Sequence, residues 1–169
     1  MKFHPLFNPS VMTFTTTVPD MKPCTGIQKI WGFTRGISFH QVDYFPYWHI
    51  SNSIVLGCNR SENEDTVRLW LYGYNNGEHF QKIAKVAKVG DKLNVRLHWL
   101  KLTAGVSISD NTWIGNKYMV PNTAAIIKTK TLPVGWLLRN YAEIDNTNNK
   151  TPFHCQVEDL RVNGRVVKI

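Results

Sequence analysis

The amino-acid sequence predicts an all-β chain of the antiparallel sandwich class, and three observations lead to that prediction. Turn signals recur at intervals of roughly 8–12 residues, which is typical of β-sandwiches. Several segments between these turns alternate apolar and polar residues, which is the period of a half-buried strand. The chain of 169 residues, 43% of them hydrophobic, also has the size and apolar content of one domain with one core.

The strands can be placed in chain order from the same signals. The clearest hairpin has alternating residues at 67–72 followed by Asn76-Gly77, because tight hairpin turns favour Asn and Gly at positions of positive φ. Further hairpins are expected at Asp110-Asn111 and Asn163-Gly164. Residues 82–88 could also form a short basic helix, but the stretch is uncapped and ends at Gly90, which favours a strand. The predicted strands cover residues 27–33, 37–39, 53–58, 67–72, 79–86, 93–99, 106–109, 112–114, 135–144 and 153–169. The alternation predicts that these side chains face the core: Leu69, Leu71, Leu93, Val95 and Leu97.

The first 24 residues differ from the rest in composition. They contain four prolines around a β-prone run, Val11 to Val18, and proline removes backbone donors from a sheet. We therefore expect residues 1–24 to form an extended N-terminal arm or an edge strand, and residues 25–169 to form the single sandwich domain. Phe7 and Phe14 are candidate contacts with a neighbouring subunit, and deletion of residues 1–20 is expected to leave the sandwich folded.

The charge and the cysteine content of the chain argue against some classes of binding partner but identify none. Lys and Arg total 20 and Asp and Glu total 12, a formal net charge of +8 that permits polyanionic partners without selecting one. The basic residues are spread over several strands with no specific nucleic-acid motif, which favours a solvated basic face. No apolar run has the length of a membrane helix and no secretion signal is seen, so no membrane partner is expected. The three cysteines, Cys24, Cys58 and Cys155, form no disulfide framework and no metal half-site.

Catalytic and metal-binding patterns are incomplete. Glu143 and Asp145 would share a face of a strand, as the carboxylates of some glycoside hydrolases do, but the second catalytic Glu is missing and a strand end is favoured. The acidic residues at 62–65 lack the spacing of a calcium loop, and no nucleophile elbow or phosphate-binding loop is present. The sequence therefore predicts no enzyme, no cofactor and no metal.

An aromatic loop is the main candidate for binding. Tyr44, Tyr47 and Trp48 lie close together in the segment Tyr44-Phe45-Pro46-Tyr47-Trp48. Exposed rings of this kind stack on sugars or anchor a protein partner. The alternative left open is that the loop packs two of these rings into the end of the sandwich.

Two resemblances refine the expected fold and function. The segment Phe153 to Arg165 resembles the closing strand of laminin-G and concanavalin A-like sandwiches, which implies a jelly-roll or concanavalin A-like fold. Segments at 30–33, 52–57, 69–75 and 135–138, with Pro152-Phe153, resemble small β-sandwich virion proteins of crAss-like phages that infect Bacteroidetes. This second resemblance implies a structural protein of the virion, made in the host cytoplasm, with other virion proteins or copies of itself as partners. The alternative function is a carbohydrate-binding, lectin-like domain that uses the loop from Tyr44 to Trp48, with a surface glycan as its ligand.

Overall fold

The computed structural model describes residues 2–5, 10–35, 52–110, 123–130, 138–142 and 153–168, and for residues 2–5, 34–35 and 138–142 only the backbone. Within these ranges the chain forms twelve strands and no helix. The strands are β1 (Lys2–Pro5), β2 (Val11–Thr17), β3 (Gln28–Arg35), β4 (Asn52–Asn59), β5 (Thr66–Asn75), β6 (Glu78–Lys88), β7 (Lys92–Leu100), β8 (Thr103–Asp110), β9 (Thr123–Lys128), β10 (Leu138–Ala142), β11 (Val157–Val162) and β12 (Arg165–Val166). A search of the same ranges finds no helix long and apolar enough to cross a membrane.

The strands form two antiparallel sheets, which confirms the predicted all-β sandwich class. Sheet A has the order β1-β10-β3-β4-β5-β6, and sheet B has the order β12-β11-β2-β7-β8-β9, among the strands described. Residues from the inner faces of both sheets pack into one hydrophobic cluster. The two sheets therefore share this core within the described part of the chain.

The predicted core register is confirmed. In β5, residues 67, 69 and 71 are fully buried, whereas the residues between them are partly exposed on the opposite face. In β7, Leu93, Val95 and Leu97 are likewise 0–1% exposed. Because successive side chains of a strand point to opposite faces, this alternation also determines which residues lie on the outer face of each sheet.

The turns agree with the sequence where Asn-Gly is present. Asn76 and Gly77 connect β5 to β6 with φ angles of 50° and 82°, and Asn163 and Gly164 connect β11 to β12 with 47° and 79°. The sequence did not predict the β7–β8 hairpin, whose turn residues are Lys101 and Leu102. The hairpin expected at Asp110-Asn111 cannot be compared, because residues 111–122 lie outside the described ranges, as do residues 37–39.

The prediction of an extended N-terminal arm or edge strand is wrong for residues 11–17. β2 lies inside sheet B, paired on one side with β7 and on the other with β11. Met12 is 0% and Phe14 is 3% exposed, so both belong to the core. The prolines of this region flank residues 11–17 instead of interrupting them, so each backbone N–H of the strand is available for pairing. Among the strands described, Lys2–Pro5 is by contrast the outermost of sheet A.

Residues 82–88 form a strand and not the alternative helix. A register shift between Ile83 and Lys85 leaves Ala84 without an opposed residue on β5, and β6 is the last of the described strands of sheet A. Lys85 pairs with Asp110 of sheet B at 2.8 Å, and the Lys82 ammonium donates to the carbonyl of Ile126 at 3.4 Å. Charged side chains that point inward at a sheet edge discourage pairing with other chains. Part of the basic content therefore serves to link the edges of the two sheets.

Candidate functional site

Three aromatic residues lie on the outer face of sheet A. Trp70, Tyr72 and Tyr74 alternate along β5 with residues that face the core, and all three are partly exposed. The spacing of two residues places the Cα atoms of successive members about 7 Å apart along the strand. We call these three residues the aromatic row.

Neighbouring groups hold the rings in defined orientations. The indole Nε1 of Trp70 donates to Oδ1 of Asn59 on β4 at 2.8 Å. Tyr72 and Tyr74 meet edge to face, with ring centroids 5.9 Å apart and an interplanar angle of 83°. Their hydroxyl oxygens are 3.3 Å apart. Because the rings are held before any ligand arrives, binding on this row would order few side chains.

His79 on β6 extends the row to the neighbouring strand. Its ring centroid lies 4.7 Å from that of Tyr72 and 5.3 Å from that of Tyr74. Burial and, secondarily, the charge of Lys29 lower the pKa of His79 below its ordinary value. The Lys29 ammonium itself lies 5.7 Å from the centroid of Tyr72. This direction favours the neutral imidazole, which has one donor and one acceptor nitrogen.

The chemistry of this surface is amphipathic. The rings of the aromatic row offer π faces, while the two tyrosine hydroxyls, His79 and the exposed Gln81 offer hydrogen-bond donors and acceptors. No group of three or more His, Cys, Asp or Glu residues suited to a metal ion occurs in the ranges the structure covers. The site is thus suited to a ligand that has both apolar faces and hydroxyl groups.

Of the candidate residues from the sequence, the structure describes only Phe14. Tyr44, Tyr47, Trp48 and Phe7 lie outside the described residues. Phe14 packs in the core, so the prediction that it contacts a partner is wrong for the folded domain. The signal for the aromatic row was present in the sequence, since the alternation that places Leu69 and Leu71 inside also places aromatic side chains outside.

The acidic residues and cysteines that were considered for catalysis or metal binding make structural contacts where the structure describes them. Glu64 of the acidic loop pairs with Arg68 at 2.7 Å, and Glu143 and Asp145 lie outside the described ranges. The three cysteines are free thiols. Burial raises the pKa of Cys58 and that of Cys155, whose Sγ lies 3.0 Å from Oγ1 of Thr16. A raised pKa keeps these thiols protonated and makes them poor nucleophiles.

Comparison with known proteins finds distant structural likeness alone. No protein-family model and no curated protein matches the sequence. Among solved structures, one similar chain is Scytalido-glutamic peptidase with a peptide-based transition-state analogue; it is 10% identical, with 98% of this chain and 82% of that chain covered and a TM-score of 0.46. Another is a functionally unknown protein from Saccharomyces cerevisiae, 10% identical, with 96% and 74% covered and a TM-score of 0.43. Likeness at this level assigns no activity to the chain.

One of these comparisons nevertheless corrects a prediction. The sequence led us to expect that the protein is not an enzyme, because the motifs of several catalytic classes are missing. The first of the two structures is a peptidase that aligns with 98% of this chain, so the expectation that the protein is not an enzyme is withdrawn. The error lies in the argument, since the absence of familiar motifs does not exclude catalysis by residues that come together only in the folded chain. Neither comparison bears on the predicted phage origin, which stays a prediction.

Proposed function

We propose that this protein is a β-sandwich binding module that holds an oligosaccharide on the outer face of sheet A. The observation that carries the proposal is the aromatic row, with three partly exposed rings on one face of one strand. This keeps the carbohydrate-binding function considered from the sequence but places the ligand on β5.

The chemistry of the row supports a sugar ligand. A pyranose ring has C–H faces that stack on aromatic rings and hydroxyl groups at its edge. The Trp70 N–H is already bonded to Asn59, so the indole interacts with a ligand mainly through its face. His79 and Gln81, on the adjacent strand, lie across from Tyr74 and Tyr72 and supply polar groups beside the rings.

A substitution at Trp70 tests the proposal. The wild-type protein would be screened on a glycan array, and each hit would be titrated by isothermal calorimetry. We expect Trp70→Ala to weaken binding at least about tenfold, as truncation of an aromatic anchor does. Trp70→Phe, which keeps a ring but loses the bond to Asn59, should lose less affinity.

The control variant is His98→Ala, which changes a ring on the outer face of the other sheet. It should bind as wild type does. An array without any hit, or hits whose affinity is the same in Trp70→Ala and wild type, would reject the proposal. Circular dichroism of each variant separates loss of binding from loss of folding.

Our second proposal is the structural role in a phage particle. It rests on the sequence resemblance, and the position of Lys2–Pro5 as the outermost described strand of sheet A supports it. An outermost strand is where a neighbouring chain adds a strand by β-augmentation. Deletion of residues 1–5 should then reduce oligomerisation in light scattering while the circular dichroism of the domain is kept. Equal oligomer mass in both proteins would count against this role.

A further inference from the structure

We propose that the β7–β8 end of sheet B docks on an anionic lipid bilayer. Leu100, the last residue of β7, and the turn residues Lys101 and Leu102 lie there, and we call these three residues the leucine tip. It lies on sheet B, whereas the aromatic row lies on sheet A, so this proposal does not depend on the proposed oligosaccharide binding.

The leucine tip is part of a larger exposed apolar surface. Leu100 is 47% and Leu102 is 43% exposed. Leu100 follows the fully buried Trp99 and therefore belongs to the outer face of sheet B. Ile126 of β9, paired with Gly105 of β8, lies on the same face and is 51% exposed. Three large aliphatic side chains thus reach solvent at one end of one sheet.

The turn does not require these residues. Lys101 has a φ of 51°, a left-handed conformation that Gly, Asn or Asp adopts more readily. The β5–β6 and β11–β12 turns of the same chain use Asn-Gly. Backbone conformations of this kind in ordinary residues occur preferentially at functional sites. Here the turn places a lysine at its apex with a leucine on each side.

The lysines beside this apolar surface indicate which kind of partner binds it. Lys101 and Lys128 are exposed, and neither is paired with a carboxylate within the described part of the chain. Register places Lys128 beside Thr103, which is itself beside Leu100, so the lysines flank the aliphatic surface. With a net charge of +8, two copies of the chain that meet at this surface would repel one another.

A bilayer with anionic headgroups satisfies both features. Leucine side chains enter the boundary between headgroups and acyl chains, while lysines remain among the phosphates. Aliphatic side chains of this kind offer neither stacking nor hydrogen bonds to a nucleic acid or a glycan. The sequence predicted no membrane partner because it lacks an apolar run of spanning length, but docking on the surface requires no such run.

Co-sedimentation with large unilamellar vesicles tests the proposal. We expect the full-length protein to bind vesicles of phosphatidylcholine mixed with phosphatidylserine, to bind pure phosphatidylcholine less, and to dissociate as salt is raised. The double variant Leu100→Ser/Leu102→Ser should lose binding. Lys101→Gln and Lys128→Gln should each lower the partition coefficient about fivefold, since each removes one charge near the surface.

The matched control is Ile83→Ser/Val86→Ser, two residues of β6 that are 46% and 53% exposed. This variant should bind vesicles as wild type does. The proposal is rejected if wild type fails to bind phosphatidylserine vesicles, or if the control loses as much binding as the leucine variant. It is also rejected if size-exclusion chromatography shows that the leucines hold a dimer together. Circular dichroism verifies that each variant is folded.

Discussion

Gly73 shows how closely two strands of sheet A approach. A Cβ atom at this position would overlap the carbonyl oxygen of Ser53 on β4 and come within 2.7 Å of Cζ of Phe80. A backbone carbonyl cannot rotate away as a side chain can, so the strands themselves would have to move. We expect Gly73→Ala to lower the free energy of unfolding by about 1–3 kcal/mol or more, as overpacking does. Urea denaturation measures this loss.

Gly105→Ala is the matched comparison for that substitution. The added Cβ would meet the imidazole of His98, the far end of a side chain, with the carbonyl oxygen of Ala125 at 3.3 Å. Because the ring can turn aside, the loss should be smaller than for Gly73. If the two variants lose equal stability, the close approach of β4 and β5 is not what limits position 73.

We expect two histidines, His79 and His98, to make the stability of the fold depend on pH. Burial, assisted by Lys29, lowers the pKa of His79, and burial, assisted by Arg96, lowers the pKa of His98. Since the folded state disfavours the protonated form, the unfolded chain binds more protons below the ordinary histidine pKa of about 6.5. We therefore expect stability to be fully present above that pH and to fall as the pH drops toward the lowered folded values.

Urea titrations at a series of pH values measure this dependence. The double variant His79→Gln/His98→Gln should show a shallower decline between about pH 7 and pH 5 than wild type. His154→Gln, which changes an exposed histidine, serves as the control. An unchanged slope in the double variant would show that other groups cause the acid sensitivity.

At the scale of elements, β2 decides what the N-terminal region does. Its neighbours are β7 and β11, so removing it would take one of two partners from each of these strands and divide sheet B in the middle. Deletion of residues 1–20 is therefore expected to unfold the domain, contrary to the expectation from sequence. Loss of the β-type circular dichroism spectrum would confirm this, and deletion of residues 1–5, which removes only the outermost β1, should retain it. A folded protein after the longer deletion would contradict the observed pairing.

The elements also show why some turns could be predicted and one could not. Asn76-Gly77 and Asn163-Gly164 were predicted because a positive φ selects these residues locally. Lys101-Leu102 has no such composition, and its turn is imposed by the pairing of Leu100 with Thr103 on β8. When the pairing of the flanking strands fixes the geometry of a turn, the turn needs no particular residue types, so its own sequence does not predict it.

For the whole molecule, the core that both sheets share predicts that they unfold together in one cooperative transition. Leu56 of sheet A and Leu97 of sheet B are both 0% exposed and belong to the same cluster. Leu56→Ala and Leu97→Ala should each lower the free energy of unfolding by about 2–5 kcal/mol. In both variants, circular dichroism and tryptophan fluorescence should report the same transition. Two separate transitions, or a loss below about 0.5 kcal/mol for Leu97→Ala, would contradict the shared core.

The sequence by itself determined the local features of this protein. The alternation in β5 and β7 identified Leu69, Leu71, Leu93, Val95 and Leu97 as core residues. It also indicated the all-β class, because the two-residue period of a strand can be seen in adjacent positions of the sequence. The aromatic row follows from the same period, once the outer face of β5 is considered along with the inner one.

The tertiary structure alone decided which strands meet. The pairing of β2 with β11 joins Val11–Thr17 to Val157–Val162, and no local pattern specifies a partner so far along the chain. The same holds for Asn59 beside Trp70 and for Lys29 beside Tyr72, since each pair comes from different strands. It holds also for the exposure of Leu100 and Leu102, because exposure depends on what the rest of the fold covers. Periodicity is a property of a segment, whereas sites and surfaces form where distant segments come together.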